Sequence, residues 1–177
     1  EVQKLILQHK EECLIKNGDY YDQDLIAQER DRVTDLLLNN GYYRASQDII
    51  RFWVDTTYAT SQLSIDMVVS NPTIQLADKT TQSVPLRRYS LDKIYIYPDN
   101  AAENNSARLD TTVYAYTSAR GFTTNYFFVH SGEMPLKTKT IARNMFLFNR
   151  QTYRPQNLTR TYNSLLTLKN FKYINLN

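Results

Sequence analysis

The chain has one cysteine, Cys13, two histidines, His9 and His130, and only four glycines among 177 residues. A single cysteine excludes an intrachain disulfide and any site built from several thiolates. The four glycines are scattered, which leaves no phosphate-cradling loop. Long hydrophobic runs are missing too. The longest apolar stretches, such as 126–129 and 145–148, reach four residues, against the roughly 20 that a membrane-spanning helix needs. Net charge is +3 with acids and bases interspersed, so there is no concentrated basic surface of the kind that binds nucleic acid. This inventory points to a non-enzymatic protein with no cofactor, no metal and no nucleic-acid partner.

What is present suits a folded domain. The hydrophobic fraction is 42%, and 14 tyrosines with 7 phenylalanines form a high aromatic load suited to strands and to adhesive surfaces. The length accommodates one mid-sized domain or two small ones. Glu1 is not a methionine and no leader pattern follows it, so the chain reads as a segment of a longer protein.

Periodicity divides the chain. Val2, Leu5, Ile6, His9 and Cys13 fall on one face of a helix over 1–16, which the Asn17-Gly18-Asp19 turn should stop. A second helix is expected after Asp22, a good cap, with Leu25, Ile26, Val33, Leu36 and Leu37 on one face. Glu29, Arg30, Asp31 and Arg32 should decorate the opposite, solvated face. Gly41 can adopt the left-handed conformation past the helix end. Period two then takes over: Ile50, Phe52 and Val54 alternate with Arg51, Trp53 and Asp55, and a second strand runs over 63–69 after a turn at 56–60. Residues 71–88 are polar, contain Pro72 and Pro85, and read as a linker. Beyond them come a strand over 91–97, an exposed loop over 101–109 and a hairpin over 112–130 turning at 118–121. A helix follows with Ile141, Met145 and Phe148 on one face. Another starts at Pro155 with a Leu158, Tyr162, Leu165 and Leu166 face, and a strand-like end follows over 173–176.

The two halves echo each other. Residues 14–21, a helix and Gly41-Tyr42-Tyr43 correspond to 147–153, a helix one turn shorter and Asn170-Phe171-Lys172. The stretches LIKNGDYYDQDL, ERDRVTDLLLNNGYY and YRPQNLTRTYNSLLTLKNFKYINL carry a likeness. With two helices before a strand in each copy, the chain resembles tandem polypeptide-transport-associated (POTRA) domains of BamA- and TamA-type outer-membrane assembly proteins, in versions found in Bacteroidetes. The resemblance implies an α+β fold of two POTRA-like domains, each a small mixed three-stranded sheet covered by two helices in β-α-α-β-β order with truncated ends. The first domain would span 1–72 and lack its opening strand. A linker at 73–87 would lead to a second domain at 88–177, which lacks its closing strand and carries an inserted hairpin at about 111–130.

The same resemblance implies a periplasmic setting, attached to the bacterial outer membrane through a C-terminal membrane barrel of the parent chain. The partners would be unfolded outer-membrane polypeptides, captured by strand addition, and accessory assembly proteins. An edge strand offers unpaired backbone donors and acceptors without needing a catalytic side chain. The strand-accepting edge maps to Ile49, Ile50, Arg51, Phe52, Trp53, Val54 and Asp55, and in the second domain to Tyr173 and Ile174. Trp53 either adds an aromatic contact there or packs against a helix or the neighbouring domain, and packing is the favoured expectation. A rival reading is an adhesive or glycan- or lipid-binding α+β module that uses the tyrosine-rich hairpin. An enzyme ranks third: His9 and Cys13 are four apart, a spacing a thiolate–imidazole pair could use, but both lie on the apolar stripe with Leu5 and Ile6.

Overall fold

A computed structural model describes residues 1–59, 61–98, 109–134, 136–171 and 174–175. The fold is α+β, with small antiparallel and mixed sheets and few helices. The chain divides into two units, Glu1–Arg88 and Tyr89–Asn177.

The first unit opens with α1 (Val2–Gln8), which buries only Leu5. The helix stops well short of residue 16. His9 folds back so that its Nδ1 donates to the Leu5 carbonyl at 3.0 Å, and Lys10–Glu12 tighten into a 3-10 turn. Lys10, Glu11 and Glu12 are all exposed, so a longer helix would have no apolar face to bury, and packing is what sustains short helices. After the connection at 13–22 comes α2 (Gln23–Asn39). The Asp22 carboxylate caps it, accepting from the backbone N–H groups of Asp24 at 2.8 Å and Leu25 at 3.3 Å. Its C-terminus closes with two bonds, Gly41 N–H to the Leu38 carbonyl and Tyr42 N–H to the Leu37 carbonyl, at 3.0 and 3.1 Å. This arrangement needs a left-handed residue between them, and Gly41 supplies it with φ +91°. Val33, Leu37 and Tyr42 are thereby brought into one core with Leu5, Ile49 and Ile50.

Two antiparallel strands follow, β1 (Ile50–Ala59) and β2 (Gln62–Val69). Thr56 to Ala59, expected to turn, belong to β1, and the register shifts between Asp55 and Ala59. The stretch read as a linker holds a second ribbon, β3 (Thr73–Gln75) and β4 (Thr81–Ser83). Three-residue strands are too short to show a period in the sequence. The turn joining them is set by Asp78, which accepts from the N–H and hydroxyl of Thr80. Among the described residues the first unit therefore contains two two-stranded antiparallel sheets, not the mixed three-stranded sheet expected of it.

The second unit does contain a mixed three-stranded sheet, in the order β5 (Ile94–Ile96), β7 (Thr123–His130), β6 (Asp110–Thr117). β5 runs parallel and β6 antiparallel to the central β7. The hairpin expected as an insertion is thus the body of the sheet. The loop at 101–108 lies outside the described residues. Two helices complete the unit, α3 (Thr138–Arg143) and α4 (Pro155–Leu166). α3 ends at Asn144, whose side-chain amide donates to the Thr140 carbonyl at 2.9 Å. Met145 and Phe148 consequently lie beyond the helix, though both are buried. α4 is rolled by about one residue from the expected face: Thr161 and Leu165 are buried, while Tyr162 and Leu166 are exposed. The reason is polar. The Thr161 hydroxyl donates to the Asn157 carbonyl and accepts the Phe146 N–H, tying the helix to the preceding segment.

Tyr126 and Phe128 of β7 anchor the core of this unit with Ile94, Ile141, Leu147 and Leu165. The Tyr126 hydroxyl donates to the Leu147 carbonyl at 2.8 Å. Ile174 is not in a strand and packs on this core, and Tyr173 lies outside the described residues. The sequence echo is not a structural repeat, because helices precede the strands in the first unit and follow them in the second.

Candidate functional site

The edge residues proposed from the sequence fall on β1 and the turn before it. Ile49 and Ile50 are buried, Phe52 is half-buried beneath the Arg30 guanidinium at 5.9 Å, and Arg51 and Asp55 are exposed. Trp53 is 64% exposed. The expectation that it packs against a helix or neighbouring domain fails, and the register explains why. Alternation places Ile50, Phe52 and Val54 on the helix-facing side of the ribbon, opposite Val69, Met67 and Ile65. Arg51, Trp53 and Asp55 share the other side with Val68, Asp66 and Ser64, and Trp53 and Val68 are both exposed there.

The backbone of the ribbon is equally specific. The Ser70 N–H donates to the Ile49 carbonyl at 2.8 Å, which makes 49/70 a hydrogen-bonded pair. Such pairs alternate along an antiparallel ladder, so the N–H and C=O groups of Arg51, Trp53 and Asp55 face β2. Those of Phe52 and Val54 face away from it. Among the described residues β1 has only β2 as a neighbour, and Phe52 and Val54 make no backbone hydrogen bond outside the ladder. β1 is therefore an open edge beside an exposed tryptophan.

The helix-facing side carries a groove that the sequence did not reveal. It has a volume of about 280 Å³ and lies between Phe52, Ile65 and Met67 of the ribbon, Leu25 of α2 and the connection bearing Tyr20 and Tyr21. Glu29 holds that connection in place. Expected on a solvated face, Glu29 is only 2% exposed. Its carboxylate takes a bidentate pair of hydrogen bonds from Arg32 at 2.7 and 2.8 Å and accepts the Leu14 N–H at 3.0 Å. Burial opposes its ionisation, but the Arg32 and Leu14 donors and the Arg32 charge outweigh that cost, and the carboxyl sits below its ordinary range. Glu12 adds a longer contact to Arg32 at 3.8 Å. A glutamate four residues before Val33 and eight before Leu37, on the same face of α2, was the available signal, since charges on an apolar stripe occur when they are paired.

The residues weighed for chemistry are held by structural contacts. His9 and Cys13 do not share a helix; burial pushes the Cys13 thiol up, and it donates to the Ile15 carbonyl at 3.2 Å. His130 bonds the Thr112 hydroxyl through Nε2 and donates from Nδ1 to the Gly132 carbonyl. In the hairpin, Tyr114, Tyr116 and Tyr126 pack into the core of the second unit, so its tyrosines are spent on folding and the adhesive or glycan-binding reading loses its basis. Among the described residues no group of three or more His, Cys, Asp or Glu is placed to hold a metal, and no helix is long and apolar enough to cross a membrane.

Residues 27–124, more than half of the chain and including all of β1 and β2, match the model of the Sigma 1s protein family. No curated protein and no solved structure matches the chain. The Sigma 1s family is viral, and this overturns the resemblance to POTRA domains of BamA- and TamA-type proteins. The role in bacterial outer-membrane barrel assembly and the periplasmic, outer-membrane-attached location fall with it. The degenerate helix–turn–helix–strand wording that suggested the resemblance is what any amphipathic helix pair ahead of a strand produces, and the chain belongs to the Sigma 1s protein family.

Proposed function

We propose that this chain is a non-enzymatic protein-interaction module whose working surface is the β1 side of the first unit. The observation that carries this reading is the open β1 edge, with the N–H and C=O groups of Phe52 and Val54 unpaired beside the exposed Trp53. Unpaired strand edges accept an added strand through main-chain hydrogen bonds. Tryptophan and arginine are the side chains most often energetically dominant in protein interfaces, and Trp53 and Arg51 lie together on one face of β1.

The contacts of the cysteine and the two histidines support binding over catalysis. Cys13, His9 and His130 each make hydrogen bonds that fix local backbone, and the raised Cys13 thiol is a poor nucleophile. The test is an amide-shift titration of dilute protein with an extended peptide of alternating threonine and valine capped by lysines. The expected result is perturbation of the Phe52 and Val54 amides, whose N–H groups point outward. Perturbations confined to the second unit, or none at all, would sink the reading.

A further inference from the structure

We propose that the partner accepted by the β1 edge is a second copy of this chain, paired antiparallel about a two-fold axis at Trp53. The inference rests on the reading of β1 as the interaction surface and adds the identity of its occupant.

The register follows from the backbone. Phe52 and Val54 present their N–H and C=O groups to the open edge, so two β1 strands can hydrogen-bond there only where these even residues oppose even residues. Centring the pair on Trp53 satisfies this condition: Phe52 opposes Val54 of the second copy, and Val54 opposes its Phe52. The odd residues then stand at the intervening non-hydrogen-bonded positions, where side chains on opposed strands come closest. Arg51 opposes the second copy's Asp55, Asp55 opposes its Arg51, and the two tryptophans meet on the axis.

Shifting the centre by one residue to Phe52 sets Arg51 against Trp53, and shifting it to Val54 sets Trp53 against Asp55. Both lose the charge pairs. The Arg51-Trp53-Asp55 spacing is self-complementary in a single register, which is what an isologous two-fold contact demands of its surface. A polypeptide of unrelated sequence would have no counterpart to these charges. Asp55 is prepared for the role. Its Oδ1 accepts from the N–H and hydroxyl of Thr57 at 2.8 and 2.7 Å, hydrogen bonds that hold the carboxyl below its ordinary range and keep it ionised. The apolar side of the new four-stranded sheet would join Phe52 to Val54, continuing the stripe that α2 already covers.

The experiment is sedimentation equilibrium of the full chain over a concentration series. The wild type should show a reversible monomer–dimer equilibrium. Arg51→Asp and Asp55→Arg should each weaken the dimer by about tenfold, since each places like charges opposite one another twice. The double variant Arg51→Asp with Asp55→Arg should return to near the wild-type constant. Val54→Pro removes an outward N–H and leaves the β1–β2 ladder intact, so it should abolish the dimer while far-ultraviolet circular dichroism is retained. A wild type that stays monomeric, single variants without effect, a double variant as weak as the singles, or a folded Val54→Pro dimer would each overturn the proposal. A monomeric wild type whose Phe52 and Val54 amides still respond to the peptide overturns self-pairing alone. A monomer that also ignores the peptide removes both readings.

Discussion

In the second unit a central strand, β7, has a neighbour on each side, and its Tyr126 and Phe128 are sealed beneath two helices. In the first unit β1 and β2 pair only with each other among the described residues, with one side over α2 and the other carrying an exposed tryptophan. The two halves are similar in length and both pack helices on strands, yet one has its central strand paired on both edges and the other leaves β1 open. Their interiors differ in kind as well. The buried set of the second unit is aromatic and aliphatic, with a neutral tyrosine–carbonyl bond at its centre. The first unit ties its connecting segment down with a buried Glu29–Arg32 ion pair. Where main chain stays available to a partner is thus decided by strand count and covering.

The largest way to test this contrast is to damage the closed unit. Phe128→Ala should cost about 4 kcal/mol, because a fully buried ring at the centre of a sheet leaves a cavity its neighbours cannot fill. Chemical denaturation should show the loss, and amide exchange should place it in β6 and β7 while α2 stays protected.

Glu29→Gln should cost about 3 kcal/mol in the first unit, since it leaves the largely buried Arg32 without its bidentate carboxylate partner. The same contact sets a pH dependence. A carboxyl whose pKa is depressed by folding contributes stability above the unfolded-state value, and that stability is lost as pH falls through the folded-state value. Acidification below the ordinary glutamate range should therefore loosen the first unit before the second, and Glu29→Gln should flatten the difference. Following α2 and β7 amides through an acid titration reads both. If the units loosen together, the ion pair does not distinguish them.

Asp22→Ala removes the cap of α2 and should lower stability by about 1 kcal/mol in thermal unfolding. Trp53→Ala should have the smallest effect, within about 0.5 kcal/mol, because its side chain faces solvent. Its consequence should appear in association alone. A large stability loss at Trp53 would show that the exposed face belongs to the core after all.

Much of the local structure was legible. Asp22 as the start of α2, Gly41 past its end, the period-two strands and the 112–130 hairpin all follow from side-chain chemistry acting over a few residues. Several readings went astray, three of them because the deciding interaction was long-range. Glu29 looks solvated until the Leu14 amide, 15 residues away, is brought to it. The face of α4 is rolled because Thr161 receives the Phe146 N–H. Residues 73–87 look like a linker because a three-residue strand is defined only by its partner. The POTRA resemblance failed for a related cause: it rested on the order of amphipathic elements, and order does not specify how strands pair.

Sequence alone determined the start and end of α2, the cores of β1, β2 and the 112–130 hairpin, and that Trp53 alternates with Phe52 and Val54. Each of these depends on neighbours within a turn or a strand, where backbone geometry and side-chain spacing act directly. Only the tertiary structure decided that β1 keeps an open edge and that Arg51, Trp53 and Asp55 stand together on its uncovered face. Those properties depend on which strands and helices meet in space, and contacts between residues far apart in the chain leave no periodic mark on it.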